Sequence, residues 1–321
     1  MQSFEQLAEQ FQQYFSVEHF PLTTPTLYNP NRYFLQMGGK RIRPVAVLMG
    51  NELFDDINPD AWHVATAIEL FHNFTLIHDD IMDEAPLRRG METVHHKYGH
   101  STALLAGDVM QVQAYDYLNR ISTAYLQRIN NIFVITARQV CEGQQLDMDF
   151  EKAESVSLEE YLTMITMKTS VLLAASLKIG GVLGGASKGN TEHLYGFGKN
   201  LGIAFQIQDD YLDAFGDPAR FGKQVGGDIL ANKKTFLLIH ALEVATDKQQ
   251  EELKQLMAEN PADKVEKVLA IFKACKVDTW ADALKEKYYN DAMQHLDEIA
   301  VLSSRKGQLK ELAQFLIQRQ H

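Results

Sequence analysis

Cysteine is nearly absent: two residues, Cys141 and Cys275, lie far apart in a chain of 321. Such spacing supports neither a disulfide framework nor a cysteine-built zinc site, and both read as small buried hydrophobes. Proline and glycine are scarce as well, at 8 and 20, which leaves little punctuation for many short strands and accommodates long helices. No alternating run of five or more residues reads as a strand. Positive charge is also short: 31 Lys and Arg stand against 42 Asp and Glu, a net of −11 with no basic run. Nucleic-acid binders show the opposite balance. An acidic chain that handles anions needs local cations, from side chains or bound metal. Residues 169–186 are the most apolar stretch, but Lys178 interrupts them, and they fall short of the roughly 20 apolar residues that span a bilayer. The N-terminal segment has early acids and no basic region before an apolar core, so no signal peptide is expected. A soluble, cytoplasmic protein is the expectation.

What is present is helical periodicity. Residues 1–19 repeat apolar positions at three and four, and a Pro/Asn-rich break follows at 21–31. Asn58-Pro59-Asp60 precedes a long run over 61–82, in which Val64, Ala67, Ile68, Phe71, Phe74 and Ile77 fit a 3.6-residue period. Pro86 ends that run. Further helices are expected near 107–119, 121–148, 158–182, 191–214, 232–245, 262–275, 277–302 and 306–319, with loops at 184–190, 215–228 and around Asn260-Pro261. No linker, internal repeat or low-complexity tract divides the chain. One all-α domain over 1–321 is expected.

The 61–82 run ends in His78-Asp79-Asp80-Ile81-Met82-Asp83. Asp79 and Asp83 are four apart and share a face, and Asp80 lies about 100° round the axis. A solvated helix end is the plain explanation. Against it, aspartates are unfavourable at the C-terminal end of the macrodipole, and like charges at this spacing repel. A divalent cation would offset both costs, and hard oxygen donors suit Mg²⁺. The pattern recurs 130 residues later as Gln208-Asp209-Asp210-Tyr211-Leu212-Asp213, again after an apolar helical segment. Two such clusters suggest facing carboxylate walls with several metals between them, a geometry that serves a diphosphate leaving group.

Basic residues accompany both clusters. Gly38-Gly39-Lys40-Arg41-Ile42-Arg43-Pro44 combines a tight turn with the start of a helix, where free N–H groups, Lys40 and Arg43 make an anion site. An ordinary turn with solvated charges fits these residues equally well. Arg88-Arg89-Gly90 follows the first cluster and could hold phosphate; a surface turn is the alternative. Lys223 and Lys233 follow the second cluster, and neither is informative alone. Lys168-Thr169, Gln206, Gln144 and Asp147 place polar groups on otherwise apolar helices. A lone lysine there usually snorkels, whereas in a cation-forming site such dipoles would stabilise positive charge.

In this order the motifs resemble those of the trans-isoprenyl diphosphate synthases, the polyprenyl synthetases that include farnesyl and geranylgeranyl diphosphate synthases. The resemblance covers nearly the whole chain, through the Gly38–Pro44 motif, Asp79–Asp83, Arg88-Arg89-Gly90, Gly107-Asp108, Glu142-Gly143-Gln144, Lys168-Thr169 and Phe205–Asp213. It implies a bundle of long antiparallel helices around a deep central cavity, usually a homodimer. It implies head-to-tail transfer of an allylic group (dimethylallyl, geranyl or farnesyl diphosphate) to isopentenyl diphosphate, with release of pyrophosphate. Asp79, Asp83 and Asp209 would ligate three Mg²⁺, supported by Asp80, Asp210 and Asp213. Arg88, Gln144, Lys168, Lys223 and Lys233 would hold the allylic diphosphate; Gly39, Lys40, Arg43, His72 and Arg89 would hold isopentenyl diphosphate. Lys168, Thr169 and Gln206 would face the cation. The chain departs from members with a basic C-terminal tail, since only Arg319 stands near its end, and no role is assigned there.

Phe74 lies five residues before Asp79 and Thr75 four before, with Phe71 one turn below. The resemblance makes Phe74 the floor for the growing chain and favours a C20 product over C15; plain core packing is the alternative. Of the rival readings, all but the first fit less of the chain. A longer-chain polyprenyl synthase keeps every motif and changes only the floor. An HD-type phosphohydrolase would use His78-Asp79 with His63 or His72, but leaves the second cluster and the Gly-Gly-Lys turn without a task. A terpene cyclase would carry Asn/Ser/Glu spacing at its second metal site, where Asp209–Asp213 stands. A non-catalytic partner subunit usually loses one acidic motif, and both are intact.

Overall fold

The computed structural model describes residues 1–216 and 225–318 and is all-α. Among these residues the one strand pairing is a two-residue hairpin, Leu87–Arg88 with Met91–Glu92. The chain divides into two units, Met1–Phe133 with Ala175–Glu192, and Val134–Ala174 with His193–His321.

The first unit is built on α4 (Pro59–Met82). Its buried positions run right round the axis, from Ala61 and Val64 through Ala65, Leu70 and Phe74 to Ile77. A helix apolar on every side belongs inside a core. It packs on α3 (Ile42–Glu52) and most extensively on α6 (His100–Leu118), with α1 (Phe4–Phe15) and α2 (Pro25–Gln36) outside them. Asn58 caps α4 by accepting the Asp60 N–H, and Pro59 takes the first position, where its missing N–H costs nothing.

Helix α2 falls across the expected break at 21–31. Pro25 sits in its first turn, where proline is tolerated, and Pro30 is carried inside. The short α5 (Val94–Tyr98) follows the hairpin.

Helices α7 (Thr123–Lys152), α9 (Val171–Leu183) and α10 (Lys188–Phe215) contribute to both units. In the second unit, α8 (Leu158–Ile165) runs through a π-helical turn, Thr166–Ser170, directly into α9. Ser157 and Glu160 form a capping box that starts this run. The run Leu158–Leu183 is long enough, and holds a window apolar enough, to cross a bilayer by length and composition, and it is longer than the stretch expected, but 61% of that window is buried in the protein. That burial is the mark of a core helix. Then come α11 (Gly227–Leu230), α12 (Phe236–Val244), α13 (Asp247–Glu259), α14 (Lys264–Ala274), α15 (Val277–Glu298) and α16 (Gly307–Ile317). Helix α13 was absent from the expected set. The core here gathers Tyr161, Ile207, Phe236, Leu253 and Phe272, with Trp280 against it.

Candidate active site

In the first unit a set of cations collects around the turn before α3. Gly38 and Gly39 have φ of 72° and 155°, backbone that glycine adopts without strain. The Arg89 guanidinium donates to Gly38 O. A methyl group at position 39 would lie 3.1 Å from Arg89 Nη1, so glycine lets the arginine close over the turn. Arg43 Nη1 is 3.1 Å from His72 Nε2. Burial, then Arg43, Arg89, Arg88 and Arg41, hold the His72 imidazole well below its usual pKa, which keeps it neutral. Burial also lowers Arg43 and Arg89 from the usual guanidinium range, and Arg43 Nε is buried without a hydrogen-bond partner among the described residues. Gly39, Arg43, His72 and Arg89, all expected to bind isopentenyl diphosphate, are thus brought together; Lys40 is exposed beside them. Neighbouring cations with an orphaned buried donor fit a diphosphate.

Arg41 does something else. Its side chain and that of Glu69 are 4% and 5% exposed and form an ion pair. Arg41 Nε also donates to Gln12, and Asn73 Nδ2 donates to Glu69 Oε1 at 3.0 Å. Arg41 is therefore the internal anchor of the turn.

The first acidic cluster closes α4. Asp79 is half-buried, Asp83 is exposed at the C-cap, and the Asp83 N–H donates to Asp79 O at 2.8 Å. Asp80 turns inward, 1% exposed. Arg88 Nε lies 2.9 Å from both its oxygens and Nη2 lies 2.8 Å from Oδ1. Asp80 and Arg88 hence hold each other and fix the loop after the cluster to the helix end. Behind the cluster, the Phe74 ring meets His78 at 4.9 Å and Phe71 at 5.4 Å between centroids. Phe71, fully buried, continues to Phe133 at 5.2 Å. The Thr75 hydroxyl donates to His72 O at 2.8 Å, turned toward its own helix.

In the second unit the π turn carries Lys168 and Thr169. Such turns concentrate at functional sites because they re-aim side chains inside a helix. Two glycines make room for it. A methyl at Gly143 on α7 would overlap the Lys168 backbone nitrogen, and one at Gly202 on α10 would lie 2.8 Å from Ser170 Cα. Lys168 Nζ pairs with Asp147 Oδ2 at 2.6 Å. The Thr169 hydroxyl donates to Gln206 Oε1 at 3.3 Å, and Gln206 Nε2 donates to Asp210 Oδ1 at 2.8 Å. The Tyr161 hydroxyl donates to the other Asp210 oxygen. These groups line a cavity of about 150 Å³ together with Asp228 and Lys233.

Gly143→Ala is expected to displace the π turn and lower turnover at least tenfold. A shift of about 1 Å in a positioning group can cost on the order of 10²-fold. Steady-state rates with circular dichroism check this, and an unchanged rate would contradict it.

Three other expected site residues lie in this unit. Asp213 accepts the Asp228 N–H at 3.0 Å, so its carboxylate steadies the start of α11. Lys233 pairs with Asp228 at 3.5 Å. Gln144 is half-buried on α7. Lys223 and Arg319 lie outside the described residues. Tyr161, which no sequence spacing marked, is the partner of Asp210.

The acidic donors fit a hard divalent cation. Burial, then the carboxylate of Asp228, push the Asp210 carboxyl up to about 7 against the hydrogen bonds from Tyr161 and Gln206, with Asp209 adding to the rise. Donors that offer oxygen alone, beside a carboxyl whose charge burial and a neighbouring carboxylate disfavour, suit Mg²⁺.

Residues 24–275 match the family model described as polyprenyl synthetase. The chain belongs to the polyprenyl synthetase family. Among its relatives are a geranylgeranyl diphosphate synthase of Sulfolobus acidocaldarius, 37% identical with 92% of this chain and 91% of that one covered, and a geranylfarnesyl diphosphate synthase of Natronomonas pharaonis, 34% identical with 95% and 93% covered. Among solved structures, a geranylgeranyl pyrophosphate synthase superposes with TM-score 0.94 at 40% identity over 99% of both chains. A geranylgeranyl pyrophosphate synthetase from Pyrococcus horikoshii gives 0.92 at 34% over 98% of both. The matched span of this polyprenyl synthetase takes in both units and every motif except the termini.

Proposed function

We propose that the chain is a trans-prenyltransferase that condenses isopentenyl diphosphate head-to-tail with an allylic diphosphate and stops at the twenty-carbon product, all 321 residues working as one domain. The observation that carries this reading is the π turn, which sets Lys168, Thr169, Gln206 and Asp210 around one cavity in a chain of this family.

In this reading Asp79, Asp83 and Asp209 hold Mg²⁺, about three per site, with Asp80, Asp210 and Asp213 holding the shape of the two clusters. Bound Mg²⁺ supplies the charge that stabilises a departing diphosphate. Arg43, Arg89 and the Gly39 turn bind isopentenyl diphosphate, and neutral His72 offers a hydrogen bond without further repulsion among the arginines. Arg88, Gln144, Lys168 and Lys233 serve the allylic diphosphate, with Lys223 as a fifth. As its C–O bond breaks, the Thr169 and Gln206 dipoles face the allylic carbocation, and a preorganised dipole costs no reorganisation at that moment. The isopentenyl double bond forms the new C–C bond, and the proton it releases leaves with pyrophosphate. No side-chain nucleophile takes part.

The reaction is tested by isotope-labelled isopentenyl diphosphate with farnesyl diphosphate. Incorporation should require Mg²⁺, stop with EDTA and return when Mg²⁺ is restored; incorporation indifferent to chelation would overturn the metal assignment.

The geranylgeranyl synthases among the relatives support C20, as does Phe74, a ring braced by Phe71 and His78 five residues before Asp79. The geranylfarnesyl relative supports C25 as the second reading. Phe74→Ala is expected to lengthen the product by one or more C5 units. Phe71→Ala should chiefly cost stability, about 3–5 kcal/mol for a buried phenylalanine. Product sizing of the two variants separates floor from core, and an unchanged length in Phe74→Ala removes the floor.

Helix α6 exposes Leu104, Leu105 and Val112 at 51%, 56% and 65%. An apolar patch of this kind suits a second copy of the chain. Light scattering should give twice the 36.4 kDa chain mass, and Leu105→Glu should shift it to one chain; a monomeric wild type would contradict the dimer.

A further inference from the structure

His193, His295 and Glu298 lie outside the site described above. His193 is near the start of α10, while His295 and Glu298 are one turn apart at the end of α15. One donor atom from each lies within 4.8 Å of the others. Nδ1 of His193 is 3.3 Å from Nδ1 of His295 and 3.2 Å from Oε2 of Glu298. Tetrahedral zinc, with bonds of about 2.0–2.2 Å, holds its donor atoms about 3.3 Å apart. Hydrogen bonding serves this cluster poorly. A single proton on His193 Nδ1 can point at the carboxylate or at the second imidazole, not at both. One cation satisfies all three lone pairs.

The surroundings hold the donors in place. Gln294 Nε2 donates to the other Glu298 oxygen at 3.2 Å, the kind of outer partner that orients a ligating carboxylate. Gly196, one turn along α10 from His193, admits the His295 ring. A methyl there would lie 2.6 Å from Nε2 and 2.7 Å from Cδ2 and Cε1. The Nε2 edge thus packs on α10 while Nδ1 faces His193.

We propose that His193, His295 and Glu298 bind one zinc-class transition-metal ion and so fasten α10 to the last turn of α15. Two imidazoles and one carboxylate select such an ion over Mg²⁺, which prefers oxygen. Asp209 is sixteen residues further along α10, about 24 Å at helical rise, so this ion is separate from the acidic clusters.

The test is calorimetric titration of chelator-stripped full chain with Zn²⁺ in excess Mg²⁺, which keeps the carboxylate clusters filled. One Zn²⁺ per chain is expected, and it should raise the thermal midpoint. Affinity should fall roughly tenfold or more in His193→Ala and His295→Ala. It should also fall in Gly196→Ala, which keeps all three donors but evicts the ring. Circular dichroism confirms that each variant is folded, and Glu298→Gln replaces any that is not. No Zn²⁺ binding by the wild type under excess Mg²⁺ overturns the proposal. So does undiminished binding in the folded variants, which would place the ion elsewhere.

Discussion

Asp209→Asn is expected to lower turnover by roughly 10²–10⁴-fold, while α10 stays folded. The change keeps the shape of the side chain and removes one anionic donor. A metal-held leaving group draws several kcal/mol of transition-state stabilisation from its ion, and each 1.4 kcal/mol or so is a factor of ten in rate. Losing about 3–5 kcal/mol gives the stated range. The Mg²⁺ concentration for half-maximal rate should rise in parallel. Asp213→Asn should do less, since the Asp213 carboxylate accepts the Asp228 N–H and the amide carbonyl can still accept it. Initial rates across a Mg²⁺ series decide the matter, and an Asp209→Asn rate within threefold of wild type would remove the second cluster from the chemistry.

A large stability loss is expected at Glu69. Glu69→Ala leaves the Arg41 guanidinium charged and buried, and breaking such a pair costs about 3–5 kcal/mol. The mutation also takes the side-chain acceptor from Asn73 Nδ2. Because Arg41 follows the Gly38-Gly39 turn and leads into α3, the variant should bind isopentenyl diphosphate more weakly as well. The paired change Arg41→Met with Glu69→Leu removes both charges together and should recover most of the lost stability. Chemical denaturation of the three proteins tests this. A loss below about 1 kcal/mol in Glu69→Ala would show that the pair is solvated.

The two features carried by short-range pattern could be read directly. Helix α4 shows in the run from Ala61 to Ile77, and its acidic end shows because three aspartates sit where the macrodipole disfavours them. The Gly38-Gly39 turn is visible as a turn, but its pattern alone fits an ordinary turn with solvated charges as well as an anion site. Which cation faces inward is not visible. Lys40, Arg41 and Arg43 are alike in sequence, and tertiary contact with Glu69 chooses Arg41. Glu69 did carry a signal, as one acid between Ile68 and Leu70 in an apolar run. The π turn leaves no mark, since one extra residue in a turn barely alters a 3.6-residue pattern; only the polar pair Lys168-Thr169 hinted at it. Helix α2 was hidden by its prolines, which weigh against a helix unless one occupies the first turn. Asp80 read as a supporting member of the metal cluster, and its bond to Arg88 depends on a hairpin too short to detect.

The central claim is prenyl elongation to a fixed length. The purified chain with Mg²⁺, isopentenyl diphosphate and each allylic primer of C5, C10 and C15, its products sized by mass spectrometry, tests it most directly. Geranylgeranyl diphosphate as the end product from every primer is the expected result. Accumulation at C15, or extension to C25 and beyond, would contradict the Phe74 floor, and no elongation from any primer would contradict the enzyme itself.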